Sequence, residues 1–363
     1  MRVTWPRIVS PRVRSGCLAA GLFAGLAGGL LPLQSSARPA HKAEELQIYF
    51  VDVEGGQATL FVTPDKHSLL IDTGWSGANG RDADRIAAAA NEAGLTRLDF
   101  VLITHYHIDH AGGFPELAAK IPIGHVFDHG PNRQTDEPAT QQTWEAYQKA
   151  VADKKTHRTT PKVGDVLPVR GMRVEVISSD GATITQALPG AGQENPACAK
   201  SGPYPDDKSE NPRSLGTLLT FGKLRILDLG DLTSDKEMLF MCPKNLLGKV
   251  DILVVSHDGT PSSSSPALVY GAAPRIAVMD NGATKGGSVR VLDTVKSSPG
   301  LEDLWQLHFS NAGGTEHKVK DPARIANPAG PDGGYYLKVT GRKDGSFDVF
   351  NSRTGEIKKY AAK

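Results

Sequence analysis

The chain has 363 residues, 39% hydrophobic and 22% charged, with 41 Lys and Arg against 40 Asp and Glu. That is enough for one large soluble domain or two small ones. Four of the basic residues (Arg2, Arg7, Arg12 and Arg14) lie among the first 37, which hold no acid, leaving 37 basic against 40 acidic residues in a mildly acidic body. Bulk charge thus gives no strong nucleic-acid signature and no electrostatic reason to expect strong membrane binding.

The N-terminus reads as an export signal. An arginine-bearing start leads into a small, apolar stretch from Cys17 to Leu33, followed by Ser35-Ser36-Ala37, a small-x-small cleavage pattern. That stretch is broken by glycines and Pro32 and is short for a membrane span. Residues 1–37 are therefore expected to be removed as a signal peptide. The mature chain is expected in a periplasm or outside the cell, with no transmembrane anchor. Residues 38–45 form a polar linker. The mature chain keeps two cysteines, Cys198 and Cys242, which either pair in an oxidising compartment or stay as free thiols.

Three strands follow in a tight antiparallel meander: Leu46–Val53, Ala58–Val62 after Gly55-Gly56, and Ser68–Ile71 after Pro64-Asp65-Lys66. An alanine-rich helix spans Asp82–Ala93 and ends at Gly94. The apolar run Asp99–Ile103 is a buried strand, then come a helix at Gly113–Lys120, a strand at Ile123–Phe127 and a helix at Pro138–Asp153. Gln186–Arg213 is rich in Pro, Gly, Asn, Asp and Ser without a hydrophobic period, so it reads as a long loop or lid. Beyond it, strands at Leu215–Phe221, Leu224–Leu229, Asp251–Ser256, Arg275–Met279 and Leu304–Phe309 are interleaved with helices at Ser234–Phe240, Pro266–Tyr270 and Val289–Lys296. A hairpin, Tyr335–Thr340 and Ser346–Phe350, closes the chain. Two runs of strands, each followed by strand–helix units, suggest an α/β protein with two packed sheets and helices outside.

The most informative segment is Thr104-His105-Tyr106-His107-Ile108-Asp109-His110-Ala111-Gly112-Gly113, directly after a strand. Three of the chain's 11 histidines and an aspartate fall within six residues there. Imidazole nitrogen and carboxylate oxygen are ligands that Zn²⁺ prefers, and four such groups packed together are costly to bury without a cation. Further candidates end other strands: Asp72, Asp231 in Leu227-Asp228-Leu229-Gly230-Asp231, and His257 in Val254-Val255-Ser256-His257-Asp258-Gly259. Singly, each is more often a cap, a turn former or a structural histidine.

Together they resemble the metallo-β-lactamase superfamily. His105, His107, Asp109 and His110 match its HxHxDH signature, and Leu70-Ile71-Asp72-Thr73-Gly74 its first motif. More narrowly, the chain is similar to the branch that includes the β-lactamase-like domain of the competence protein ComEC. The matching segments are Phe50-Val51-Asp52-Val53, Gly56-Gln57-Ala58-Thr59, Asn211, Ser214-Leu215, Gly230-Asp231 and Ser256-His257-Asp258-Gly259. The resemblance implies an αββα sandwich over 46–310, with 311–363 as a C-terminal extension carrying the hairpin. It implies His105 and His107 on a first metal, Asp109, His110 and His257 on a second, Asp231 bridging, and Asp72 bracing the loop.

One or two Zn²⁺ ions (or Mn²⁺) would hold a hydroxide to attack a phosphodiester or other ester, with Asp109 orienting it or taking its proton. Three departures stand out. No motif supplies a further histidine to the first metal; His125, His129 and His157 are available and His129 is the best placed. Asp258 replaces a histidine beside His257 and can alter the local charge or coordinate. Asn281–Ser288 replaces a Gly-His-Pro, and its Lys285 reads more simply as a solvated lysine in a flexible turn than as a group facing a substrate anion. These departures keep a second reading open, a metal- or ligand-binding module with little or no turnover.

Overall fold

The computed structural model describes residues 44–312, 317, 319–328 and 333–363. The expected signal peptide, 1–37, and nearly all of the 38–45 linker lie outside the described residues. Among the described residues no helix is long and apolar enough to cross a membrane.

Period-two alternation builds the first sheet. In Glu45–Phe50, Leu46, Ile48 and Phe50 face the interior between two sheets, while Tyr49 faces a second apolar layer under helices. The strand order is Ile357–Tyr360, Phe347–Asn351, Leu337–Arg342, Glu45–Phe50, Thr59–Val62, Ser68–Ile71, Leu98–Leu102, Ile123–Phe127 and His157–Thr159. Pairing is antiparallel as far as Ser68–Ile71 and parallel beyond it. The last three strands of the chain therefore extend the meander on its far side.

The second sheet runs Ile325–Asn327, Asp303–His308, Ile276–Met279, Ile252–Val254, Leu224–Asp228, Gly216–Phe221, Arg173–Ser179 and Val166–Leu167. It too is half parallel, from Leu224–Asp228 to Ile325–Asn327. Both sheets bury apolar side chains against each other, with Trp305, Phe61, Phe221 and Phe347 among the largest. Burying each such side chain contributes about 1.5–3 kcal/mol. Helices Arg81–Glu92, Phe114–Lys120 and Pro138–Lys154 cover the outer face of the first sheet, and Ser234–Met241, Pro266–Ala272 and Val289–Lys296 that of the second. The architecture is α/β, an αββα sandwich.

Two differences from the sequence reading have simple causes. The strand Arg173–Ser179 joins the second sheet next to its edge, between Gly216–Phe221 and Val166–Leu167; its signal is the brief alternation of Val174 and Val176 with Arg173 and Glu175, submerged in polar neighbours. The segment read as a lid is tied down along part of its length. Gln193–Glu194 pairs with Lys244–Asn245, Asn195 Nδ2 donates to the carbonyls of Met241 and Ala267, and Cys198 is disulfide-bonded to Cys242. Closing a loop of that size removes roughly 3–4 kcal/mol of unfolded-state entropy.

Parallel strands align their carboxyl ends on one edge, and the loops after them share that edge. Asp72, His105, Asp231, His257 and Lys285 all follow the C-terminal ends of such strands. The fold thus gathers residues more than 150 positions apart.

Candidate metal centre

Asp231 stands at the meeting point. Its Oδ2 lies 3.3 Å from His257 Nε2 and 3.7 Å from His105 Nε2, and its Oδ1 lies 3.3 Å from His110 Nε2. Asp109 Oδ2 is 3.3 Å from the same His110 nitrogen. His105, His110 and Asp231 have ligand atoms close enough to share one ion. The loops are locked together by backbone, since His257 N–H donates to the Gly230 carbonyl. Two positions demand glycine or strain. A Cβ on Gly56, at φ 103°, would come within 2.4 Å of the Asp109 carbonyl oxygen. His257 and Asp258 hold left-handed backbone at φ 57° and 52°, a conformation non-glycine residues keep only when their surroundings enforce it.

Hydrogen bonds fix which ring nitrogens carry lone pairs. Thr104 donates its only hydroxyl proton to Asp72 Oδ2 at 2.6 Å. Its oxygen then accepts Nδ1–H of His105 at 3.0 Å, which leaves the His105 Nε2 lone pair free. Gln134 Oε1 accepts Nε2–H of His107 at 3.0 Å, which frees His107 Nδ1. Those two nitrogens face each other at 3.1 Å. Lone pairs so placed repel unless a cation or proton lies between them, and the spacing suits ligands about 2.0–2.1 Å from one zinc ion. His110 donates Nδ1–H to Asp72 Oδ2 at 2.7 Å. Its buried Nε2 has no hydrogen-bond partner among the described residues. These donor atoms fit a divalent cation.

The electrostatics agree. Burial disfavours charge on His110, but Asp231, Asp109 and Asp72 outweigh it and raise its pKa well above the ordinary imidazole value. Burial and then the charge of His110 push His105 well down, so it stays neutral. Asp231 and Asp109 remain ionised despite burial, Asp231 through His110 and His257, Asp109 through His110 and Lys285. Such a pocket selects for positive charge. Behind it lie buried carboxyls of the opposite tendency. Burial lifts Asp228 to about 7 and Asp280 well above the carboxylate range.

The remaining candidates sit as follows. Asp72 accepts from Thr104 N–H, Thr104 O–H and His110, the geometry of a brace. His129 gives Nε2 to Glu210 at 2.8 Å and packs on Tyr106. Asp258 Oδ2 accepts from Gly56 N–H at 3.0 Å and from Lys285. His125 and His157 stack on each other away from the cluster, on neighbouring strands.

Sequence reasoning passed over Gln134 and Glu210. Gln134 Oε1 also takes the backbone N–H of Glu210, so His107 is oriented by the 186–213 segment. No local pattern marks a lone glutamine for that role. A second acidic cluster, Asp52, Glu54 and His308, already has a cation in Arg85, which pairs with both carboxylates. A cavity of about 620 Å³ beside Lys200 and Tyr270 shares no residue with the site.

Residues 51–181 match the model of the Metallo-beta-lactamase superfamily. The chain is similar to Recombination protein 2 of Haemophilus influenzae, 26% identical over 237 residues that cover 65% of this chain and 24% of that protein. It is also similar to hydroxyacylglutathione hydrolase of Aliivibrio salmonicida, 41% identical over 58 residues covering 16% of this chain and 20% of that protein. The matches thus span about a quarter and a fifth of these curated relatives. Among solved structures, the metallo-beta-lactamase fold protein YhfI from Bacillus subtilis aligns at TM-score 0.43 and 14% identity, over 72% of this chain and 96% of that one.

The raised pKa of Asp228 sets a pH dependence. The folded state holds a proton that the unfolded chain has released, so the stability Asp228 contributes is fully present below about pH 4 and is lost as pH rises through 7. Asp228→Asn should therefore gain on the parent by about 2 kcal/mol between pH 5.5 and 8.5. Urea melts at the two pH values measure this, and a gap independent of pH would contradict it.

Proposed function

We propose, from the match of residues 51–181 to the Metallo-beta-lactamase superfamily, that the chain is an exported, metal-dependent hydrolase of a phosphodiester or other ester. The observation that carries the proposal is the facing pair of free imidazole nitrogens, His105 Nε2 and His107 Nδ1, beside Asp231. His105, His107 and Asp231 would hold one cation, with Asp109, His110 and His257 around the other side of Asp231. Bound Zn²⁺ or Mn²⁺ would supply Lewis acidity, lowering the pKa of a water and polarising the scissile group.

The chain's own residues do the rest. Asp72 fixes the His110 ring and the Thr104 turn. Thr104 and Gln134 hold His105 and His107 in the tautomers that present lone pairs inward. Asp109, kept ionised by His110 and Lys285, is suited to orient a water through its carboxylate rather than to store the proton. The likeness to Recombination protein 2 supports placing the chain near the competence branch, and a hydrolase is named among its relatives. The Lys285 contacts on Asp109 and Asp258 favour a second reading, a binding module of the same fold with little turnover.

Export is supported by the leader pattern of residues 1–37 and by the Cys198–Cys242 bond, which persists in oxidising compartments. Expressed in full, the protein should be recovered outside the cytoplasm beginning at Arg38, as read by intact mass; an unprocessed cytoplasmic chain would contradict export. Activity is checked with a chromogenic phosphodiester and a chromogenic acetate ester. Zinc- or manganese-loaded protein should turn over at least one of them, with the rate falling about a hundredfold or more in His107→Ala and after chelation. A parent rate no higher than that of His107→Ala defeats the hydrolase reading in favour of the binding module.

A further inference from the structure

We propose that Lys285 is a resident cation of this centre, whose ammonium occupies the side of Asp109 that a second metal ion would need, so that the chain holds one divalent ion rather than two. The inference rests on the metal-binding reading above. Lys285 Nζ lies 2.5 Å from Asp109 Oδ2 and also contacts Asp258 Oδ2. Asp109 Oδ2 is the oxygen that stands 3.3 Å from the unpartnered His110 Nε2. The atom that would complete a second coordination sphere is therefore already committed to a positive charge. Two cations sharing one carboxylate oxygen at bonding distance repel strongly where the carboxylate is buried.

The lysine is held in place by its surroundings. Its loop is anchored at several points: the Asn281 amide donates to the His308 carbonyl, Asn311 N–H to the Ala283 carbonyl, and Gly287 and Ser288 N–H to the carbonyls of Asp258 and Gly259. Gly286 passes so close to Asp258 that a Cβ there would lie 2.1 Å from its carbonyl oxygen. Asp258 in turn is fixed by Gly56 N–H and by its left-handed backbone. The aspartate and the lysine thus form a matched pair. Asp258 adds a third carboxylate beside Asp109 and Asp231, and Lys285 adds one positive charge. One ammonium and one divalent ion balance the charges of Asp109, Asp231 and Asp258, so a second divalent ion beside the ammonium finds no carboxylate of these three left to offset it.

Metal-free protein, Lys285→Gln and Lys285→Arg are each loaded with excess zinc, desalted, and counted by elemental analysis, with calorimetry for the affinity of each equivalent. The parent and Lys285→Arg should retain one equivalent. Lys285→Gln should take up two, the second binding at least about tenfold tighter than any second ion in the parent. A parent that retains two equivalents as tightly as Lys285→Gln overturns the role of the lysine while leaving the metal-binding reading intact. Absence of zinc from every folded variant overturns both. Should Lys285→Gln not fold, the parent and Lys285→Arg still decide, since two tightly held equivalents in either refute the inference.

Discussion

The carboxylate of Asp231, buried among three imidazoles, is the interaction on which the rest of the centre depends. It sits in the loop after one sheet's strand, His105 and His110 belong to the other sheet, and His257 comes from the adjacent parallel strand. A buried anion of this kind is costly unless cations meet it. The fold meets that cost by bringing both sheets' strand ends to one edge, so the sandwich interface and the site are stabilised by the same geometry. Loss of the sheet-to-sheet core would separate Asp231 from the histidines, and loss of the charge pairing would leave carboxylates stranded inside.

Around that anion the chain arranges a graded charge pattern. Thr104, Gln134 and Asp72 decide which nitrogens point inward. Asp109 and Asp231 are kept ionised by the cations nearest them, while the buried Asp228 and Asp280 are driven toward neutrality. Lys285 and Asp258 then set how much further positive charge the pocket accepts.

Much of this was legible in the sequence, for physical reasons. The HxHxDH turn compresses its ligands into six residues, so it is visible without any tertiary information. The alternating strands around Leu46–Val53 and the apolar run at 99–103 announce the sheet that carries it. What escaped notice came from elements whose pattern is weak or whose partner is remote. Arg173–Ser179 is a strand next to the sheet edge written mostly in polar residues. Gln134 and Glu210 act through contacts more than 70 positions apart, and nothing local distinguishes them from surface residues. Lys285 reads in the sequence most simply as a solvated lysine in a turn, and only its contacts with Asp109 and Asp258 assign it a place in the centre.

A crystal grown with zinc and measured at its absorption edge tests the central claim most directly. The account predicts an anomalous peak within about 2.3 Å of Asp231 Oδ2 and His105 Nε2. A peak confined to the Asp52, Glu54 and His308 cluster, or none at the strand ends of the two sheets, would contradict it.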